Sequence, residues 1–135
     1  MADDAELSDG LAGKQVLIVE DEFLVTMLIE DALDNLGCRV AGTAGRFDEA
    51  LEKARSLAFD VAILDVNLDG KRTFPIAELL AERGRAFVFA TGYGADNVPD
   101  ALADAPILPK PFQQSDLEHA LRQALAAAPS PDLSP

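Results

Sequence analysis

Side chains that could do chemistry follow four short apolar runs of the sequence, at the position where each run ends. Acidic residues follow two of these runs, a threonine follows a third and a lysine follows a fourth. The residues concerned are Glu20, Asp21, Glu22, Asp65, Thr91 and Lys110. Carboxylates gathered at one place repel one another, so we expect the acidic members to need a cation as counter-charge.

The donor atoms of this set indicate a hard divalent cation. Glu20, Asp21 and Asp65 offer only oxygen ligands, and a small open cluster of oxygens suits Mg²⁺ better than Ca²⁺. Lys110 adds a positive charge that can meet a phosphoryl oxygen, and Thr91 adds a hydroxyl donor. A carboxylate nucleophile, a metal, an ammonium and a hydroxyl together describe phosphoryl transfer to an aspartate.

The elements that must position these residues are predicted from the alternation of apolar runs with segments of helical period. Runs at residues 16–19, around 40, 61–64, 87–89 and 107–108 predict five strands, each followed by a helix. The first helix is predicted to bury one stripe, made of Val25, Leu28, Ile29, Ala32 and Leu36. The sequence therefore predicts five βα units.

The strands are continuous in apolar character rather than alternating, which indicates burial on both faces of a parallel sheet. The predicted fold is a doubly wound α/β domain with five parallel strands. The second strand ends near Thr43 without a comparable charge, as expected for an edge strand in the order 2-1-3-4-5. Ligands of such sheets bind beyond the carboxyl ends of the strands, where the polar residues lie.

Length and composition limit the class of protein. The chain has 135 residues, of which 49% are hydrophobic, enough for one core. We expect a domain at residues 14–128 between disordered tails at 1–13 and 129–135, because the tails lack periodicity and the second is rich in proline. Cys38 is the only cysteine, which excludes an internal disulfide.

Charge and hydropathy limit the classes of partner that the protein could bind. Lys and Arg number 11 against 24 Asp and Glu, and a formal net charge of −13 disfavours binding to nucleic acid. No apolar run approaches the ~20 residues that a membrane span needs. The acidic N-terminus lacks the basic and apolar regions of a secretory signal. We therefore expect a cytoplasmic protein without nucleic-acid or membrane partners.

Four motifs in order resemble those of response-regulator receiver domains. They are Val19–Glu20–Asp21–Glu22, Leu64–Asp65, Ala90–Thr91–Gly92 and Lys110–Pro111–Phe112. The resemblance covers about residues 14 to 128 and implies a flavodoxin-like receiver fold. The stretch Phe89–Ala90–Thr91–Gly92–Tyr93–Gly94 further resembles the stand-alone receivers called the FAT GUY group.

The resemblance implies a role for each matching residue. Asp65 would accept the phosphoryl group, Asp21 would ligate Mg²⁺ directly and Glu20 would do so through water. The backbone carbonyl of Asn67 would complete the protein's metal ligands. Thr91 and Lys110 would contact the phosphoryl group, and small Gly92 would leave it room. The Lys110–Pro111 peptide bond is expected to be cis, as receivers of this type usually have it.

The sequence also departs from the family pattern. The place of the usual switch aromatic, three residues before the lysine, holds Ile107, and Tyr93 is the candidate that could replace it. The proline usual four residues after the acceptor is replaced by Asp69, which predicts an unusually mobile loop at residues 66–73. The resemblance places the output surface on the fourth helix, fifth strand and fifth helix.

The predicted function is that of a single-domain response regulator. It would take a phosphoryl group from a histidine kinase or phosphotransfer protein and then contact a downstream protein partner or act as a phosphate sink. As a phosphoacceptor it would catalyse only its own phosphorylation and dephosphorylation. A population shift would carry the signal, because a ligand moves an equilibrium only by its differential affinity.

Alternatives remain open at the level of sequence. One is a Mg²⁺-dependent phosphohydrolase with an aspartate nucleophile, and another is a pseudo-receiver that binds partners without phosphorylation. The first six positions of a calcium-binding EF-hand loop also fit residues 65–70, but the twelfth is Ile76 instead of glutamate. Lys71 and Arg72 could be an ordinary solvated pair or a contact for a kinase.

Overall fold

The computed structural model describes residues 11–92 and 98–127 of the chain. Five parallel strands form one sheet in the order β2-β1-β3-β4-β5, which confirms the predicted fold and strand order. The strands are β1 (Gln15–Val19), β2 (Arg39–Ala44), β3 (Val61–Asp65), β4 (Ala86–Thr91) and β5 (Ile107–Pro109).

Helices connect the strands on both faces of the sheet. Within the described residues the α-helices are α1 (Phe23–Asn35), α2 (Phe47–Ser56), α3 (Phe74–Glu82) and α4 (Gln114–Ala127). A 3-10 turn covers Asp100–Leu102, and two short antiparallel strands, Asn67–Leu68 and Lys71–Arg72, form a hairpin between β3 and α3. None of the helices in these ranges is long and apolar enough to cross a membrane.

Alternate residues of the central strands enter two separate cores, a first core under α1 and α4 and a second core under α2 and α3. This explains the continuous apolar character of the strands. In β1, Val16 and Ile18 pack with residues of α1 and α4, whereas Leu17 and Val19 pack with residues of α2 and α3 on the opposite face. Every residue of β3 is buried. The sheet is therefore covered on both sides, and its carboxyl edge is left to carry polar groups.

Helix α1 buries most of the predicted stripe, but with Leu33 in place of Leu28. Ile29, Ala32 and Leu33 are buried, with Val25 and Leu36 partly buried against the same core. Leu28 was predicted to be buried but is 61% exposed. The helix carries apolar residues on two faces, so periodicity alone assigned Leu28 to the core in place of Leu33.

The connection between β4 and β5 lacks the predicted helix in its described part, residues 98–106. These residues form only the Asp100–Leu102 turn. Pro99 and Pro106 bracket six residues, which is too short a stretch for a stable α-helix. The predicted helix is therefore not found in residues 98–106, the part of this connection that the structure describes.

The described fold begins before residue 14. Leu11 is 1% exposed in the core under α1 and α4, and the Gly13 N–H donates to the Gly37 carbonyl oxygen at 2.8 Å. The Cys38 thiol donates to the Leu11 carbonyl oxygen at 3.4 Å. Residues 11 to 13 thus pack onto the end of α1, although the sequence analysis assigned them to the N-terminal tail.

Candidate functional site

Parallel pairing brings the predicted site residues to one edge of the sheet. Glu20 follows β1, Asp65 ends β3, Thr91 ends β4 and Lys110 follows β5. Asp65 is in register with Ala90, directly before Thr91, and the Lys110 N–H donates to the Thr91 carbonyl oxygen at 3.0 Å. The carboxyl ends of four neighbouring strands therefore line one pocket.

Three acidic side chains of this pocket could hold a metal ion. Glu20, Asp21 and Asp65 each offer a carboxylate oxygen, and these oxygens all lie within 4.8 Å of one another. Glu20 and Asp65 are buried, and Asp21 is exposed at the mouth. An all-oxygen donor set with an open side fits Mg²⁺, which binds through a few carboxylates and keeps several waters.

Lys110 supplies the positive charge inside the pocket. Its Nζ lies 2.8 Å from Glu20 Oε1 and 3.4 Å from Asp65 Oδ2. Burial by itself would lower the pKa of Lys110, but the carboxylates of Glu20 and Asp65 outweigh that effect and raise the pKa. The ammonium therefore stays charged at neutral pH beside the predicted acceptor.

Asp65 has an environment that favours its protonated form. The pKa of Asp65 is raised to about 6, first by burial and second by the Glu20 carboxylate. Lys110 and the Asn67 N–H, which donates to Asp65 Oδ1 at 3.3 Å, act in the opposite direction. A cation bound among the three carboxylates would relieve the same repulsion.

Two contacts at this site were missed by the sequence analysis. The buried hydroxyl of Thr73 donates to the Asp65 carbonyl oxygen at 2.7 Å, and the Asp69 N–H donates to Asp21 Oδ2 at 2.8 Å. Residues 66–73, predicted to be an unusually mobile loop, include a hydrogen-bonded hairpin; their mobility stays a prediction. The Asp69–Gly70 dipeptide is a recognised hairpin signal that could have indicated the hairpin.

The remaining predicted features concern the Lys110–Pro111 bond, the switch candidates, the EF-hand alternative and Asn67. The Lys110–Pro111 bond is cis, as predicted. Ile107 is partly buried and packs against the second core, while Tyr93 lies outside the described residues. The segment before Asp65 is a β-strand, so the EF-hand interpretation, which requires a helix there, is excluded. Asn67 remains the predicted source of a carbonyl ligand.

Comparisons with known proteins agree with this geometry. The family model described as response regulator receiver domain matches residues 16–122. The transcriptional regulatory protein PdtaR of Mycobacterium tuberculosis is 31% identical over 123 residues, which cover 88% of this chain and 60% of PdtaR. The chain thus spans less than two thirds of that relative. The chemotaxis protein CheY of Thermotoga maritima is 31% identical over 116 residues, covering 82% of this chain and 97% of CheY.

Solved structures show the same likeness. The solution structure of SdrG from Sphingomonas melonis Fr1 has a TM-score of 0.75 at 43% identity and covers 86% of this chain and 98% of SdrG. A solution structure of the BeF3-activated conformation of SdrG has a TM-score of 0.72 and covers 84% of this chain. The chain belongs to the response regulator receiver domain family, whose members act in two-component signalling.

Proposed function

We propose that Asp65 is the phosphoacceptor and that it receives its phosphoryl group from a histidine kinase or phosphotransfer protein. The observation that carries this assignment is the position of Lys110 Nζ, 3.4 Å from Asp65 Oδ2, in a pocket where three carboxylate oxygens lie within 4.8 Å. Asp65 ends the central strand β3, and its carboxylate contacts both Lys110 and the Asn67 N–H.

The transfer needs an ionised acceptor. With a pKa of about 6, Asp65 is mostly ionised at neutral pH. One of its carboxylate oxygens forms a bond to phosphorus while the bond between phosphorus and the donor's imidazole nitrogen breaks, and the electron pair returns to the imidazole. The Lys110 ammonium pairs with the oxygens of the transferred group, since it already lies against the acceptor.

Mg²⁺ is the proposed cofactor, held by Glu20, Asp21, Asp65 and the Asn67 backbone carbonyl. When bound, it neutralises charge on the phosphoryl oxygens. The chain's own residues orient the acceptor: Asn67 donates to Asp65 Oδ1, and Lys110 holds Oδ2. The Thr91 hydroxyl, at the exit of the neighbouring strand, is proposed to donate to the phosphoryl group after transfer.

The first experiment incubates the protein with acetyl phosphate and Mg²⁺ and measures the mass of the intact chain. We expect one phosphoryl adduct that is stable in acid and lost in base. Asp65→Asn should abolish it, and Asp100→Asn, a matched loss of an exposed carboxylate remote from the pocket, should not. Undiminished labelling of Asp65→Asn would refute the acceptor assignment. Continuous release of phosphate from a phosphomonoester would favour the phosphohydrolase instead, and an unlabelled wild type would favour the pseudo-receiver.

The phosphodonor is proposed to be a protein that docks on the exposed apolar face of α1. Phe23 and Leu24 are 74% and 72% exposed, and they begin two residues after Asp21, so a partner on this face reaches the pocket mouth. Met27 and Leu28 continue the face. Glu30 and Asp31 line the same groove, so we expect basic residues at the rim of the partner's apolar surface.

If the phosphodonor docks on α1, a substitution there should slow transfer from a protein donor but not from a small-molecule donor. Leu24→Ser should slow phosphoryl transfer from the cognate phosphotransfer protein about tenfold, because an exposed apolar anchor is lost. The rate with acetyl phosphate should stay within about twofold, since Leu24 is 72% exposed and is not among the proposed ligands of Mg²⁺ or the phosphoryl group. Equal slowing with both donors would contradict docking on α1, as would self-association of the wild type through this face in light scattering.

Output is proposed to follow a population shift that phosphoryl contacts with Thr91 and Lys110 favour. Tyr93 is the candidate switch residue, because position 107 holds isoleucine instead of the usual aromatic residue. We expect Tyr93→Ala to impair the response of a downstream protein partner more than it impairs labelling of Asp65. Equal partner binding with and without Tyr93 would remove it as a switch residue.

A further inference from the structure

The hairpin formed by residues 67–72 has a tightly specified turn. Its two central residues, Asp69 and Gly70, have φ values of 50° and 82°. Positive φ at both central positions is the mark of a type I′ turn, in which the backbone twist matches that of the flanking strands. The direction of the Asp69 N–H is therefore set by the turn rather than by side-chain packing.

The tip of this hairpin is bonded to a candidate metal ligand. The Asp69 N–H donates to Asp21 Oδ2 at 2.8 Å, across 48 positions of sequence. Asp21 is exposed and lies in a loop between β1 and α1. An accepted hydrogen bond on Oδ2 restricts the rotation of this exposed carboxylate and narrows the range of positions that its two oxygens occupy.

The base of the hairpin is bonded to the predicted acceptor. Thr73, directly before α3, is fully buried, and its hydroxyl donates to the Asp65 carbonyl oxygen at 2.7 Å. The Thr73 N–H donates to the Val66 carbonyl oxygen at 3.0 Å, which closes the loop. The hairpin thus joins the backbone of Asp65 to the side chain of Asp21.

We propose that this hairpin is a positioning clamp that holds the Asp21 carboxylate ready for the cation. Asp69 acts through its backbone N–H and is a positioning residue, not a metal ligand. The proposal rests on the proposed Mg²⁺ site and adds that its affinity depends on a turn outside the ligand set. Partners that orient a metal ligand typically change metal affinity 10- to 100-fold when they are removed.

The test measures Mg²⁺ affinity by calorimetry without any phosphodonor. Asp69→Pro removes the N–H and cannot adopt the positive φ, so we expect about tenfold weaker binding. Asp69→Asn is the matched control, because it keeps the N–H and tolerates the left-handed region while removing the charge. Its affinity should change by less than about twofold. Gly70→Val, which strains the turn but keeps every N–H, should weaken binding about threefold and serves if the proline variant does not fold.

A metal-free measurement checks the same bond. In wild-type protein the Asp69 amide should exchange slowly with solvent, and Asp21→Ala should accelerate its exchange about tenfold because the acceptor is lost. An Asp69 amide that exchanges equally fast in both proteins would overturn the clamp.

The outcomes distinguish the clamp from the proposed function. Unchanged affinity in Asp69→Pro and Gly70→Val, with wild-type binding intact, would overturn the clamp alone. An equal loss in Asp69→Asn and Asp69→Pro would assign the effect to the carboxylate charge and would also overturn it. Absence of Mg²⁺ binding by the wild type would overturn the proposed metal site, and the clamp with it.

Discussion

The connections that leave β3 and β4 start side by side, since Asp65 and Ala90 are in register, yet they differ in their hydrogen bonds to the site. The connection after β3 is a hairpin bonded at its tip to Asp21 and at its base to Asp65. The described part of the connection after β4, residues 98–106, is anchored by Leu102, which is 5% exposed in the second core. Both connections bury apolar side chains, with Leu68 0% exposed in the first, but the first connection also holds two site residues through directional hydrogen bonds.

This difference corresponds to what each connection borders. The connection after β3 lies beside carboxylates that must keep a fixed geometry around a cation, and hydrogen bonds specify direction. Burial of a leucine holds a segment near the sheet but leaves its backbone path less constrained. We therefore expect substitutions in the first connection to change the chemistry of the pocket and those in the second to change stability.

The largest expected effect comes from Leu102→Ala. Removing a buried leucine side chain leaves a cavity and should lower the free energy of unfolding by about 3 kcal/mol in urea denaturation. Leu24→Ala, the same change at a 72% exposed position, should alter it by less than about 0.5 kcal/mol. Mg²⁺ affinity should be unchanged in both variants. A Leu102→Ala protein that retained full stability would show that burial does not hold this connection.

Asp65→Asn is expected to raise the free energy of unfolding, by less than Leu102→Ala lowers it. The pKa of Asp65 is raised to about 6, so the folded state binds this proton more tightly than the unfolded state does. The resulting stabilisation is complete below about pH 4 and is lost as the pH rises through about 6. Without Mg²⁺, Asp65→Asn should therefore be more stable than the wild type by about 2 kcal/mol at pH 8.

The pH dependence provides the check. At pH 5 the advantage of Asp65→Asn should shrink to about half, because wild-type Asp65 is then mostly protonated in the folded state. Millimolar Mg²⁺ should stabilise the wild type more than the variant, because the cation binds the folded pocket. A stability difference that did not vary between pH 5 and pH 8 would contradict the raised pKa.

The smallest effects come from a matched pair of glycines, one in each connection. Gly70 has a φ of 82°, so Gly70→Ala should cost about 1 kcal/mol through backbone strain. Gly92 has no such φ, and a Cβ there would lie 3.9 Å from the Lys110 carbonyl oxygen, an ordinary contact. Gly92→Ala should thus stabilise by about 0.5 kcal/mol through the unfolded state. Equal melting temperatures for the two variants would remove the contrast.

The elements of the fold were predictable where one signal dominated. The central strands were recognisable because burial on both faces demands an unbroken apolar run, and the edge position of β2 followed from its uncharged end. Leu28 and Leu33 were confused because both are apolar and five positions apart on one helix, so either could face the core. Residues 98–106, the described part of the connection after β4, form no α-helix. Pro99 and Pro106 signalled this by their short spacing, which the predicted βα repeat did not take into account.

The residues of the site were predictable from the sequence, but the residues that hydrogen-bond to them were not. Glu20, Asp21, Asp65 and Lys110 are brought together because each follows an apolar run, and parallel strands end at one edge. Thr73 gave no signal, since a threonine before a helix is common as a cap. Its hydroxyl instead donates to Asp65.

The sequence by itself determined which residues lie at the carboxyl edge, because strand burial and helix period are local patterns that a chain carries without its tertiary structure. Only the tertiary structure decided how those residues are oriented. The bond from Asp69 to Asp21 joins residues 48 positions apart, and the pKa of Asp65 depends on burial and on Glu20 from another strand. Direction and dielectric environment arise from packing between distant segments, so no local pattern encodes them.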